Sequence, residues 1–256
     1  MFNDLLEINA EEEVLKIISF LRQTFLDQKI TRAVIGVSGG IDSAVSLALL
    51  SQALPSENIQ ILHLPYFKDD VEDIRGLMKH LKIPDSQLKV FSVKTMVDKI
   101  IDELKIPEND VVRRGNIMAR VRMITLFDCA KQNNAMVVGT ENRSEHFLGY
   151  FTRFGDAASD IEPIGHLYKI QVYELAKHLK IPESIFNKTP SAGLWQDQTD
   201  EDQFGFTYKE ADPVLMLYFD KKNSAFSIER MFPGAKKIIE FAEQNSYKLK
   251  VPYGVK

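Results

Sequence analysis

A six-residue run, Ser38-Gly39-Gly40-Ile41-Asp42-Ser43, is wedged between an apolar, partly β-branched stretch (Thr31–Val37, TRAVIGV) and the apolar stretch Ala44–Ala53. A short, largely apolar and partly β-branched run that ends at a glycine-rich turn reads as a buried strand. The chain must therefore pass from a central strand, through a glycine turn, straight into a helix. Gly39 and Gly40 tolerate positive φ and let backbone N–H groups converge on an anion, and the helix adds its positive N-terminal end. Ser38 and Ser43 supply hydroxyl donors. Asp42 is the odd member, since a carboxylate beside a phosphate cradle is repulsive unless a cation lies between them, which implies Mg²⁺. Neither the Gly-Lys-Ser/Thr of a Walker A loop nor the G-x-G-x-x-G of a dinucleotide fingerprint is present.

The strand-then-helix unit repeats. Val14, Ile17, Ile18, Leu21 and Phe25 recur at helical spacing, which predicts an amphipathic helix within the first 28 residues. Strands are predicted at Ile59–Leu64, Leu88–Val93 and Ala135–Val138, with helices at Asp69–Lys82, Lys94–Leu104 and Arg114–Asn133. The last of these carries Met118, Val121 and Thr125 on one face, a stripe that suits a core or a second chain. Such alternation predicts an α/β protein, a parallel sheet with helices on both faces in a single layered α/β/α domain over residues 1–256. A nucleotide crevice is expected at the carboxyl ends of the strands. Further on, Pro163–Leu167 reads as a last short strand and Ile170–Leu179, Lys209–Phe219 and Ala235–Asn245 as helices. Asn187–Gly205 shows no periodicity, and a loop of that length within a compact domain is usually a lid or an irregular connection.

Composition removes several function classes. Lys and Arg number 32 against 36 Asp and Glu, a net charge of −4, so no basic surplus exists for a phosphate backbone and no nucleic-acid partner is expected. The lone Cys129, in an apolar helical context, permits neither an intrachain disulfide nor a cysteine-rich zinc site and reads as a small buried residue. The acidic N-terminus lacks the pattern of a signal peptide, and no apolar run approaches a membrane span. A reduced, cytoplasmic setting without membrane contact is expected. The Asn-x-Ser/Thr triplets at Asn142 and Asn187 then read as chance matches to a glycosylation pattern.

The second informative region follows the strand at Ala135–Val138. Gly139-Thr140-Glu141-Asn142-Arg143-Ser144-Glu145 continues into Gly149-Tyr150-Phe151-Thr152, Gly155-Asp156, Asp160 and Pro163-Ile164. Glu145 sits just past the carboxyl end of a strand, as Asp42 does. Two carboxylates converging on one crevice suit a Mg²⁺ that binds phosphate oxygens and keeps several waters. Thr140 is placed to contact a nucleotide, and Arg153 to neutralise a phosphate or carboxylate.

SGGIDS at 38–43 resembles the SGGxDS loop of the ATP pyrophosphatase superfamily. With GN-x-x-ARVRM at 115–123, GTENRSE at 139–145, GYFTRFGDAASDIEPIG at 149–165, LYK at 167–169, PSAGLW at 190–195 and QTDE at 198–201, the chain is similar over nearly its whole length to the NAD synthetases. The resemblance implies a Rossmann-like layering of the adenine nucleotide alpha hydrolase type. It implies a ligase that adenylates the carboxylate of nicotinic acid adenine dinucleotide (deamido-NAD) with ATP and then amidates it. By that resemblance Asp42 and Glu145 hold Mg²⁺, and Gly36, Val37, Ser38, Gly39, Gly40, Ile41, Asp42, Ser43, Thr140, Lys169 and Ser191 bind ATP. Arg120, Arg153, Asp160, Tyr247 and Lys248 contact deamido-NAD, and a homodimer is implied because the dinucleotide of such enzymes lies at a dimer interface. Asp42, Asp156 and Lys169 are the expected catalytic groups, with Asp156 taking a proton from ammonium and Lys169 spreading transition-state charge. Ser191, Arg153 and Tyr247 stand where many members of the family have Thr, Lys and His. Glutamine-using members carry a further glutaminase domain with a nucleophilic cysteine; here the first strand follows a single helix, so ammonia is the expected nitrogen donor. Another adenylating ligase of the superfamily, or a non-catalytic adenine-nucleotide-binding module, is the alternative.

Overall fold

The structure, a computed structural model, describes residues 3–67, 71–195 and 198–254. Helix α1 (Ala10–Gln28) starts where the Asn9 side chain accepts from Glu12 N and ends at Lys29 in the left-handed region. It is followed by β1 (Arg32–Gly36), α2 (Ile41–Ala53), β2 (Ile59–His63), α3 (Glu72–His80), β3 (Leu88–Val90), α4 (Lys94–Glu103), α5 (Val111–Asn133) and β4 (Ala135–Val138). After β4 the chain is helical: α6 (Arg143–Leu148), α7 (Lys169–His178), α8 (Glu183–Phe186), α9 (Asp200–Phe204), α10 (Tyr208–Leu215), α11 (Ala225–Met231) and α12 (Ala235–Asn245).

Four parallel strands pair in the order β3-β2-β1-β4. Successive side chains of a strand face opposite ways. Ala33, Ile35, Ile59, Ile61, Met136 and Val138 accordingly enter one core with α1, α2 and α7. Val34, Leu62 and Val137 enter another beneath α4 and α5. A third cluster joins α6, α10 and α12 around Phe204, Tyr208, Leu215 and Ile238. No helix among the described residues is long and apolar enough to cross a membrane.

Several expectations need correction. Pro163–Leu167 is not a strand: the sheet gains only a single parallel bridge, Val138 to Ile161, before the chain turns. Asn187–Gly205 is not wholly irregular, because Thr199 caps the short helix α9 and Phe204 is buried against Tyr150 and Tyr208. The helix expected over Lys209–Phe219 is α-helical only to Leu215, then widens into a π turn over Met216–Asp220. The helix expected to start at Asp69 begins at Glu72; Asp69 and Asp70 lie outside the described residues. Met118 and Val121 are 2% and 3% exposed and belong to the core, while Thr125 of the same α5 stripe is half-buried.

Candidate active site

The strand order places the site. From β1 the chain steps outward through β2 and β3, then returns to add β4 on the other side. The loops leaving β1 and β4 therefore diverge and open a crevice at their carboxyl ends. SGGIDS fills the β1 side. Gly39 is left-handed (φ 80°), where an L side chain would be strained. Ser38 N donates to Ser43 Oγ (3.2 Å), Gly40 N to Ser38 Oγ (3.2 Å), and Ser43 Oγ to Gly40 O (3.0 Å). The loop is thus wired to itself, and α2 begins within the motif, at Ile41, with Asp42 in its first turn.

The β4 side is a capping box. Asn142 Oδ1 accepts from Glu145 N (3.0 Å), while Glu145 Oε2 accepts from Asn142 N (3.3 Å). The same Asn142 reaches across the crevice, its Nδ2 donating to Asp42 Oδ1 (2.9 Å). Lys169, the first residue of α7, closes the ring by donating from Nζ to Asp42 Oδ2 (2.5 Å) and Glu145 Oε1 (3.3 Å). Its side chain is 2% exposed. Burial alone would push the ammonium toward neutrality; the two carboxylates outweigh it and hold the group charged, above its ordinary value. Burial, then the Asp42 charge, push the Glu145 carboxyl well up against the pull of Lys169. Asp42 and Glu145 thus share one cation position, now taken by the ammonium.

A further layer supports this ring. Ser144 Oγ accepts from Lys169 N (2.8 Å) and donates to Asp212 Oδ1 (2.6 Å), and Asp212 Oδ2 accepts from Ile170 N (2.9 Å). The start of α7, and so Lys169, is held by a wholly buried carboxyl that burial pushes up to about 7. Asp200, also buried, accepts from Tyr208 OH (3.0 Å) and Ala192 N (3.1 Å), and Lys169 Nζ stands 5.1 Å from the Tyr208 ring. Leu194 from the same segment packs on α5 at Gly115, where a Cβ would come within 2.9 Å of it.

On the far side of Asn142 lies an open cavity of about 810 Å³ with Arg143, Arg153, Glu162 and Lys248 in its wall. Arg153 stands over the Tyr247 ring at 5.2 Å. Lys248 Nζ donates to Gly149 O (2.6 Å) and Phe151 O (3.2 Å), tying the C-terminal segment to this loop, and burial pulls its ammonium down. Asp156 Oδ1 accepts from Thr152 N (2.9 Å). The residue is open to solvent, yet protein crowded around its carboxyl pushes it above the usual value while the Thr152 bond pulls it back. Glu162, held by Ser159 Oγ (2.6 Å) and Glu141 N (3.2 Å), is driven by burial to about 8.

The structure therefore brings together the SGGIDS loop, Asp42, Glu145 and Lys169, and separately Arg153, Asp156, Tyr247 and Lys248. Thr140 is half-buried at the end of β4, and Arg120 half-buried on α5. Ser191 is exposed, its hydroxyl accepting from Gly193 N (3.1 Å) within its own loop. Asp160 lies apart: its Oδ2 caps Val137 N (2.7 Å), and it borders a depression with Ile30 and Met136 toward the amino ends of the strands. Asn142, Glu162, Asp200 and Asp212 were not anticipated. For Asn142 a signal existed, the N-x-x-E spacing that ends at Glu145, and burial excludes it as a glycan acceptor.

A phosphate-type loop facing a Lys-bridged carboxylate pair across the switch point of a parallel sheet defines a Rossmann-like α/β nucleotide-binding protein. A profile of the NAD synthase family matches residues 13–252. The NH₃-dependent NAD⁺ synthetase of Thermoplasma acidophilum is 42% identical over 248 residues, covering 96% of this chain and 98% of the relative. Among solved structures, the NMN synthetase of Francisella tularensis superposes with a TM-score of 0.82 at 35% identity, over 97% of this chain and 99% of that one. An NH₃-dependent NAD synthetase from Campylobacter jejuni superposes with a TM-score of 0.80 at 29% identity, over 97% and 100%. The chain belongs to the NAD synthase family.

Proposed function

We propose that the chain, folded as a single domain over residues 1–256, is an ammonia-dependent NAD synthetase. It would use ATP to amidate the nicotinate carboxylate of deamido-NAD, releasing AMP and pyrophosphate. The observation that carries this is Asn142, whose side chain bonds Asp42 on the phosphate-loop side while its residue also lines the open cavity. One wall thus separates a phosphate site from a cavity large enough for a substrate's carboxylate end.

A carboxylate does not accept ammonia, because its oxygen is too poor a leaving group. Adenylation solves this: a carboxylate oxygen bonds to the α-phosphorus, and the bond to the β-phosphate breaks with its electron pair on pyrophosphate. The Ser38–Ser43 loop would hold the departing phosphates by backbone N–H groups and the α2 N-terminus. Lys169, kept charged by its partners, would face the charge that develops on the α-phosphate. Asp42 and Glu145 fit Mg²⁺, since an oxygen-only donor set is what that ion takes, and they would hold it beside the Lys169 ammonium that bridges them. Bound there, Mg²⁺ would neutralise triphosphate charge. Arg153 and Lys248 would orient the dinucleotide, and Asp156, its carboxyl already raised, would take the proton from ammonium. The segment carrying Ser191 and Leu194 would shield the adenylate from water. Asp160 stands outside this chain's own crevice, which fits a dinucleotide shared by two copies. Exposed Val111 and Val112 in the first turn of α5, and Ile124 on another side of the same helix, are apolar surface that such a homodimer would cover.

The likeness to an NMN synthetase favours one second reading, in which the acid amidated is a mononucleotide. The deciding assay supplies ATP and Mg²⁺ with either nicotinic acid adenine dinucleotide or nicotinic acid mononucleotide, and with either ammonium or glutamine. NAD formed from the dinucleotide and ammonium is the expected product. A preference for the mononucleotide would change the substrate, and activity with glutamine would change the nitrogen donor. Asp156→Asn should slow amide formation more than adenylate formation; equal loss in both partial reactions removes the proton-acceptor role.

A further inference from the structure

We infer that Lys188 is a pyrophosphate-binding residue, held beside the phosphate loop by Asp73 until the phosphates arrive. The inference rests on the phosphate reading of the Ser38–Ser43 loop given above. Lys188 follows α8 and leads into the segment that carries Ser191. Its ammonium lies directly over Gly39, 3.5 Å from where a Cβ on that residue would stand, so the cation is already seated on the left-handed residue of the loop. Its resting partner is Asp73 Oδ2 at 3.9 Å, from the first turn of α3. That pair is loose and open, with side chains 46% and 35% exposed, a geometry that contributes little and is easily exchanged.

Charge makes the assignment specific. Lys169 is committed to Asp42 and Glu145, and the charge of Asp200 acts on the same ammonium. As the α–β phosphate bond breaks, the electron pair collects on the leaving pyrophosphate, at the loop end of the crevice. Backbone N–H groups there carry only partial charge. Lys188 brings a full one, and Asp73 competes with the phosphate for it.

The test measures binding of magnesium pyrophosphate, and separately of AMP, to the intact protein by titration calorimetry, alongside melting temperatures. Lys188→Met should weaken pyrophosphate binding roughly tenfold to a hundredfold, the worth of a hydrogen bond to a charged group. AMP binding and the melting temperature should hold. Lys188→Arg should restore most of the affinity, and Asp73→Asn should tighten pyrophosphate about twofold by removing the competitor. Unchanged pyrophosphate binding in Lys188→Met overturns the inference while leaving the phosphate loop intact. So does parallel loss of pyrophosphate and AMP with a lowered melting temperature, which would mark a structural lysine. Failure of the unaltered protein to bind pyrophosphate overturns the loop reading and the inference together.

Discussion

Lys169 and Arg153 are cations on the two sides of Asn142, and the protein holds them in opposite ways. The Lys169 ammonium is buried between two carboxylates, with Asn142 joining those carboxylates and Asp212 anchoring the helix end behind it. Arg153 rides on a run of turns after α6, over the face of Tyr247, a residue 49% exposed. On the proposed function, the difference follows what each side would do. Triphosphate chemistry gains from charges fixed in advance in a water-poor place, where no reorganisation is needed as the reaction proceeds. A cavity that admits and releases a large substrate gains from side chains near solvent, where contacts are cheap to form and break.

The largest way to break this contrast is Lys169→Met. Removing one member of a buried ion cluster leaves two carboxylates unneutralised, which should cost about 3–5 kcal/mol of stability and lower turnover by about a thousandfold. Added Mg²⁺ should raise the melting temperature of Lys169→Met more than that of the unaltered protein, since it would occupy the vacated cation position. Arg153→Ala should instead raise KM for the dinucleotide roughly tenfold with melting temperature and Mg²⁺ response unchanged. Matching stability losses in the two variants would show that the halves are not built differently.

The same contrast governs what could be read from the sequence. The phosphate loop was legible because strand, glycine turn and helix are contiguous, so local pattern and tertiary role coincide. Glu145 was legible for the same reason. Asn142 was hidden under a glycosylation triplet, although its capping-box spacing to Glu145 lay in plain view. Asp212 could not be found, because nothing in the sequence near it points to Ser144 and Ile170, and only the packing of α10 on α6 and α7 brings them together. Pro163–Leu167 was misread because a short apolar run before an α-helix does not distinguish a strand from buried turns. Within Asn187–Gly205 only α9 was not legible, because a one-turn helix held by Thr199 and aromatic packing has no periodicity to detect.

How far the buried wiring extends can be measured through Asp212. Burial pushes its carboxyl up to about 7, so the folded protein keeps a proton that the unfolded chain, at an ordinary value of 3.8, gives up. Its contribution to stability is therefore full below about pH 4 and is lost as pH rises to about 7. Asp212→Asn cannot ionise and escapes that loss. Relative to the unaltered protein it should gain stability between pH 4 and 8, by up to about 4 kcal/mol, in denaturant unfolding at several pH values. A constant gap between the two proteins across that range would mean that Asp212 stays ionised in the fold, and that the support behind Lys169 is a fixed charge.

The smallest effect belongs to the open half and sharpens the contrast most finely. Tyr247 gives Arg153 an aromatic face at 5.2 Å, a contact near solvent worth about 0.5–1 kcal/mol. Tyr247→Leu should raise KM for the dinucleotide by about twofold to fivefold, leaving KM for ATP and the melting temperature where they were. Tyr247→Phe, which keeps the ring and loses the hydroxyl, separates the two things the residue could supply. If Phe behaves as Tyr, the ring face orients Arg153, and a weak contact suffices because the guanidinium needs only to be aimed. If Phe behaves as Leu, the hydroxyl itself meets substrate, and the open half has a fixed polar contact like those around Lys169.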